Sequence, residues 1–519
     1  MNPVIDHTTP AKWPFSFMPV TVNWIRRALP LLLVFAIAVI VRRLVVANTD
    51  VSWLITVAEK MLDGQRLYVD VIELNPPASV FLYLPPVMLA RFLGLAPELV
   101  VDLLVFAAIC ASLLLAGRIL LKARMLDGFD GWAVAAFAAA ILAVLPAQVF
   151  GQREHIAVIS LLPVLAVYSV RARRACPDLA FAIVAGLGAG ITMTIKPHFV
   201  LVNGLALLAS MLVVKSWRPF LAIENWIAGA IVLFYVASIF TFYPEFIDDI
   251  APLAAAVYVP YRLSFLGILT HPATMLWGLI FLAFAGLKRG APRDSRYAVL
   301  LAASGGFVLV FMIQGKGWPY HAYPMLALVL MALTFNFTEI EQTDTARDRR
   351  PRARPIGSPF TIAGLLGISF LLMNLALNRS ALVEPIRRIK PHPTLLAIST
   401  DIGVGHPLVR QVGGTWVGTV GSLWIAMGAH WLLANRQNDP AMAARLAAYA
   451  ARGRAMLIED IRRGQPEVLV ISTNTVEWLH EDPVLAGLLS NYVRMNTLDD
   501  VIILRRSDIG RPAEIAGQH

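Results

Sequence analysis

The sequence is poor in charge and almost without cysteine. Of its 519 residues only 15% are Asp, Glu, Lys or Arg, where a soluble globular chain carries about 25%. Hydrophobic residues make up 58%. Long Leu/Ala/Val/Phe runs replace the missing charge, which excludes an ordinary soluble enzyme and makes the chain a polytopic membrane protein. The 2 cysteines, Cys110 in an apolar run and Cys176 in a basic loop, exclude a disulfide framework. Also missing are a P-loop, a GxGxxG turn after a strand, an HExxH helix and Cys-based metal spacing. Nucleotide-driven transport and nucleotide-sugar chemistry in a Rossmann domain therefore have no support. The net charge of +10 is no nucleic-acid footprint, because the basic residues stand in short clusters between apolar runs, as topology signals do. The first apolar stretch, after Arg26-Arg27, lacks a small-residue cleavage site and reads as a retained span.

What is present is a series of apolar segments. A hydrocarbon core of about 30 Å needs roughly 20 apolar residues per helix. Segments 28–47, 98–118, 131–149, 155–170, 178–194, 198–214, 225–243, 263–287, 297–313, 320–338 and 359–378 qualify. The expected fold is an all-α polytopic bundle of about 11 transmembrane helices over 28–378, after a cytosolic N-terminus 1–27. Segment 77–93 is apolar too, but Pro85-Pro86 interrupts it, and lipid cannot replace the lost backbone donors. Basic clusters occur at Arg26/Arg27, Arg118/Lys122/Arg124, Arg171/Arg173/Arg174, Lys215/Arg218, Lys288/Arg289/Arg293/Arg296 and from Arg347 to Arg354. They share one face only if 77–93 does not cross. It is therefore expected to re-enter or lie on the surface within a first external loop, 48–97, with Arg42 and Arg43 dissenting. The tail 379–519 holds strand-like LLAIST (395–400), VLVIST (468–473) and VIILRR (501–506) around a helical pattern, and is expected to be a small extracytoplasmic α/β domain.

This threading puts simple basic turns inside and mixed polar loops outside. Asp50, where the first span ends, is either an N-cap for helix 51–62 or a catalytic or metal-binding carboxylate. Glu154 and His155 lie in a short external turn; Glu154 either pairs with Arg153 at the surface or meets Asp50 to share a divalent cation or divide base and ligand roles. Lys196 and His198 flank Pro197, and Lys316, Trp318, Tyr320 and His321 form another external turn. Fixed cations at this depth suit a lipid-linked phosphate, and the alternative is snorkelling within an aromatic belt. Arg262 with Tyr258 and Tyr261 is a comparable cluster; Asp63, Asp70 and Glu73 read as solvated loop charges.

Together these features resemble the GT-C superfamily of integral-membrane glycosyltransferases. NTD ending at Asp50, the Pro-Pro segment NPPASVFLYLPP, and LPAQVFGQREHIAV with Pro146 and Glu154 carry the resemblance; TIKPHFVL and QGKGWPYHAYP look like motifs of bacterial members. The resemblance implies transfer from a polyprenyl-phosphate sugar to a cell-envelope glycan or lipid acceptor, with inversion, on the extracytoplasmic face of a bacterial inner membrane. It implies Asp50 as base, Glu154 as second carboxylate or metal ligand, and Lys196, Arg262 and Lys316 near the donor phosphate. His155, His198, Tyr258, Tyr261, Trp318, Tyr320 and His321 would line the substrate pocket. A divalent metal, Mg or Mn, held by Asp50 and Glu154 is left open, since members differ in using one. The competing classes are a secondary transporter or flippase of lipid-linked sugars and a non-catalytic scaffold of a polysaccharide assembly complex. The first would show inverted repeats and mid-span charges.

Overall fold

The computed structural model describes residues 18–127, 129–287, 294–338, 359–374, 380–435 and 439–509. Residues 1–17, Lys288, Arg289, Arg293, the run from Arg347 to Arg354 and the boundary expected at 378/379 lie outside the described residues.

Each expected span overlaps a helix, although 263–287 breaks into Phe265–Leu269 and Pro272–Leu287 and the end of 359–378 lies outside the described residues. The helices are α1 (Met18–Leu44), α5 (Pro97–Lys122), α6 (Gly131–Ala139, continued as a π-turn to Val144), α7 (Arg153–Ala172), α8 (Leu179–Ile195), α9 (Val200–Val214), α10 (Ile223–Phe242), and helices Pro272–Leu287, Ser295–Gln314, Pro319–Thr338 and Pro359–Met373. Between α1 and α5 lie α2 (Thr49–Leu62), α3 (Ala78–Phe81) and α4 (Leu84–Leu93). Among the described residues, 5 helices are long and apolar enough to cross a membrane, or 6 if α1 and α2, bent by 74° at their junction, count as one. The others are shorter apolar helices.

Helix α7 is the axis of the bundle, with 83% of its apolar window buried against 11% for α10. Helix α8 reaches both neighbours through glycines. A Cβ on Gly188 would stand 2.4 Å from the Ser160 carbonyl oxygen in α7, and one on Gly186 would stand 2.6 Å from that of Glu224 in α10. Small residues let backbones meet where lipid supplies no hydrophobic drive between helices.

Segment 77–93 is anchored at both ends. The Ser79 hydroxyl donates to the Ile195 carbonyl at the end of α8, while Arg91 pairs with Asp63 and donates to the Glu59 carbonyl, both at the end of α2. Pro85 and Pro86 open α4, where the missing N–H groups would have had no intrahelical partner. The dissenting Arg42 is also explained. Its guanidinium forks onto Asp102 of α5 (3.1 Å), donates to the Ala147 carbonyl (2.9 Å) and lies 4.9 Å over the Phe150 ring. A satisfied, paired cation does not behave as a topology signal.

The tail folds as a five-stranded sheet in the order β2-β1-β3-β5-β4. Strands β1 (Thr394–Ile398), β2 (Thr415–Trp416) and β3 (Val468–Ser472) pair in parallel, and β4 (Tyr492–Leu498) and β5 (Val501–Arg506) add an antiparallel edge. Helices Trp424–Asn435 and Pro440–Gly464 make the crossover from β2 to β3. The domain docks on the membrane helices through Arg410, which pairs with Glu59 (2.6 Å) and Glu98, and through Arg452, which pairs with Asp249 (2.5 Å). The Ile72 N–H donates to the Thr419 carbonyl at 2.9 Å, and Trp53 packs edge-on against His406 at 5.2 Å.

Candidate active site

A cleft of about 1350 Å³ opens between one end of the membrane helices and the tail domain. Its membrane wall is made at helix termini. Asn48 caps α2, its Oδ1 accepting from the N–H groups of Asp50 (3.0 Å) and Val51 (3.4 Å). Asp50 is therefore not the cap; it stands in the first turn of α2 with its carboxylate free of the backbone. Two side chains from the start of α7 hold that carboxylate: Gln152 Nε2 donates to Oδ2 at 2.8 Å and Arg153 at 3.3 Å. Both bonds use one oxygen, so the other keeps its lone pairs for a further donor.

Arg153 and Glu154 are consecutive but serve different partners. The surface pair expected between them does not form. Arg153 is buried against Asp50, and Glu154, in the first turn of α7 and not in a loop, pairs with Lys196 at 2.5 Å. Lys196, just past the last residue of α8, also donates to Gln314 Oε1 (3.1 Å) and lies 3.4 Å from His321 Nε2. The two carboxylates thus belong to two neighbouring groups, Asp50–Gln152–Arg153 and Glu154–Lys196–His321, joined through the backbone from Arg153 to Glu154. Lys196 and Arg153 line the cleft while Glu154 lies behind them.

Around this floor stand Tyr258, Trp318 and Tyr320, with ring centroids 6.3 Å apart for Tyr258–Trp318 and 5.5 Å for Trp318–Tyr320. The Lys316 ammonium lies 3.9 Å over the Tyr258 ring and donates to the Tyr258 carbonyl at 2.8 Å and to that of Tyr261. Burial, and then the nearby Arg262 guanidinium, push Lys316 down to about 8. Arg262 sits exposed on the rim, and His198 and the Tyr261 ring also line the cleft. The Tyr261 hydroxyl donates to the Gly428 carbonyl of the tail domain at 3.3 Å.

Two expectations are corrected. His155 lies outside the lining: it is fully buried, its Nδ1 accepts from the Gly151 N–H (3.0 Å) and its Nε2 sits 2.7 Å from the Leu142 carbonyl. It locks the turn that enters α7. Glu73 is buried, not solvated, accepting from the Trp53 indole N–H (2.6 Å) and from Asn75 N–H (2.9 Å).

Sequence reasoning missed Arg153 as a site residue in its own right. One of its terminal nitrogens is buried without a hydrogen-bond partner, although the residue lines the cleft. An unmade bond of that kind costs about 1–3 kcal/mol.

The donor set does not fit a divalent metal. Asp50 and Glu154 already face Arg153 and Lys196, whose charges oppose a cation, and among the described residues no three His, Cys, Asp or Glu side chains gather as ligands.

No family model matches the sequence, and no curated protein matches it. Among solved structures the chain is similar to the crystal structure of ArnT from Cupriavidus metallidurans bound to undecaprenyl phosphate, with a TM-score of 0.54 and 15% identity over 96% of this chain and 100% of that one. A looser match is the cryo-EM structure of the arabinofuranosyltransferase AftD from mycobacteria, with a TM-score of 0.32 and 14% identity over 84% of this chain and 36% of that one. At this level of identity the ArnT likeness is one of fold: a multi-pass helical domain followed by a small α/β domain.

Proposed function

We propose that this chain, which has the GT-C membrane-glycosyltransferase fold, moves a sugar from a polyprenyl-phosphate donor to a cell-envelope glycan or lipid acceptor. The observation that carries this reading is the pairing of Asp50 with a buried, incompletely bonded Arg153 on the floor of a large cleft at the helix ends. ArnT, whose crystal structure holds undecaprenyl phosphate, supports a lipid phosphate as the occupant.

Transfer forms a bond from an acceptor oxygen to the anomeric carbon and breaks the bond from that carbon to the phosphate oxygen, through an oxocarbenium-like state. Asp50 takes the acceptor hydroxyl proton through its unused carboxylate oxygen. Negative charge grows on the departing polyprenyl phosphate, and Arg153 and Lys196, with Arg262 and Lys316 at the rim, stabilise it. Glu154 positions Lys196. Attack opposite the leaving group inverts the anomeric centre. The aromatic rings of Tyr258, Trp318 and Tyr320 would pack the sugar and keep water from it. In this reading the protein sits in a bacterial inner membrane with a cytosolic N-terminus, and the cleft faces away from the cytosol.

Asp50→Asn keeps an acceptor for Gln152 and Arg153 but removes the base. It should lower transfer roughly 10²–10⁴-fold at unchanged expression. The readout is lipid and glycan analysis of the complemented deletion strain; full transfer by the variant would refute the base.

A further inference from the structure

The far wall of the cleft belongs to the tail domain and is built to a different chemistry. From β1 the chain passes to β2 on one side, while β3 pairs with β1 on the other. The carboxyl ends of β1 and β3 therefore flank a topological switch point, the place where open α/β sheets bind ligands. The two loops leaving these ends are fixed to one another. Ser472 Oγ donates to Ser399 Oγ at 2.8 Å, and Thr475 Oγ1 donates to the Ile398 carbonyl at 3.2 Å. Asp401 stiffens the first loop by accepting from the Gly403 N–H at 2.8 Å.

From this frame Thr400, Asp401 and Asn474 line the cleft, with the indoles of Trp424 and Trp431 beside them. The wall offers a hydroxyl, an amide and a carboxylate, and none of the tail residues lining it is a Lys, Arg or His. The membrane wall opposite carries four cations, Arg153, Lys196, Arg262 and Lys316, against two carboxylates, Asp50 and Glu73. A phosphate belongs on the cationic side. A hydroxyl-rich ring suits the other, where mixed donors and acceptors meet its hydroxyls and an indole face can cover its C–H face.

We propose that the crevice between the carboxyl ends of β1 and β3 is the acceptor subsite, binding a sugar ring of the acceptor and presenting its hydroxyl across the cleft to Asp50. This rests on the glycosyltransferase reading above. The same wall chemistry would also fit the sugar carried by the donor, so the test separates the two.

Membranes of a strain lacking the gene hold both unreacted substrates, and fractionating their lipids lets donor and acceptor be titrated separately against the purified full-length protein in nanodiscs. Transfer is read as mass gained by the acceptor. Thr400→Val with Asn474→Ala should raise the KM for the acceptor fraction roughly tenfold, the loss of two ordinary hydrogen bonds. The KM for the donor fraction and the affinity for pure undecaprenyl phosphate should stay within about twofold. Thr473→Ala, exposed on the same loop but outside the lining, should change neither. Each single substitution, at about threefold, serves if the double variant does not fold. A raised donor KM would assign the crevice to the donor sugar and overturn the proposal, as would no change in either KM. If the unaltered protein neither binds undecaprenyl phosphate nor adds mass to any acceptor, the glycosyltransferase reading itself falls and takes the subsite with it.

Discussion

Arg153 and Lys316 hold their charges in opposite ways. Arg153 is anchored between Asp50 and Gln152, with Nε 3.4 Å from Gln152 Oε1. Its replacement by Met should weaken binding of undecaprenyl phosphate by about 2 kcal/mol, roughly thirtyfold, because a charge-assisted bond to phosphate is lost. Arg153→Lys should recover only part, since an ammonium cannot fork between carboxylate and phosphate. Binding to labelled lipid in nanodiscs checks both; equal affinities would remove Arg153 from the phosphate site. Lys316 is a titrating cation. With its pKa pushed down to about 8, it is charged below that value and neutral above, while a phosphate monoester stays dianionic above about 6. Affinity should therefore fall as pH rises from about 7 to about 9 and stay level in Lys316→Arg, whose guanidinium keeps its proton. A fall of equal size in both proteins would assign the titration elsewhere.

At the scale of elements, helix contacts are set where side chains are absent. Gly188→Ala pushes a methyl into the Ser160 carbonyl, so it should cost about 1–3 kcal/mol and lower the thermal midpoint in detergent. Gly204→Ala in α9, where a Cβ would meet nothing within 4 Å, should be neutral; equal midpoints for the two would deny the close approach of α8 to α7. Elements were also what the sequence displayed most clearly. Hydropathy is local, so the expected spans overlap helices, with 263–287 split into two, and the strand-like runs at 395–400, 468–473 and 501–506 became β1, β3 and β5. Strand β2 is only two residues long and β4 is largely exposed, so neither leaves an apolar signature. Site residues were legible by type and depth but not by partner. Arg153 lies beside Glu154 in sequence yet bonds Asp50 from 103 residues away, and Glu73 reads as a loop charge because nothing local announces the Trp53 indole that binds it. His155 carries the same chemistry as His321, and only the Leu142 and Gly151 backbones show that it faces inward.

At the scale of the whole molecule, the cleft exists only while the tail domain stays docked. Arg410 is the principal latch, 14% exposed and shared by Glu59 and Glu98. Arg410→Ala should loosen docking by about 2 kcal/mol, seen as roughly thirtyfold faster amide exchange at Ile72, whose N–H bonds Thr419 across the interface. Unchanged exchange would mean that the remaining contacts suffice. Assembly of the bundle carries a demand of its own. Arg42 finds Asp102 60 residues further along, so during synthesis α1 meets the insertion machinery with a bare guanidinium, and its charge is answered only once α5 has emerged from the ribosome. An Asp102→Asn chain leaves that guanidinium without its carboxylate and should show a lower thermal midpoint in detergent than the unaltered protein.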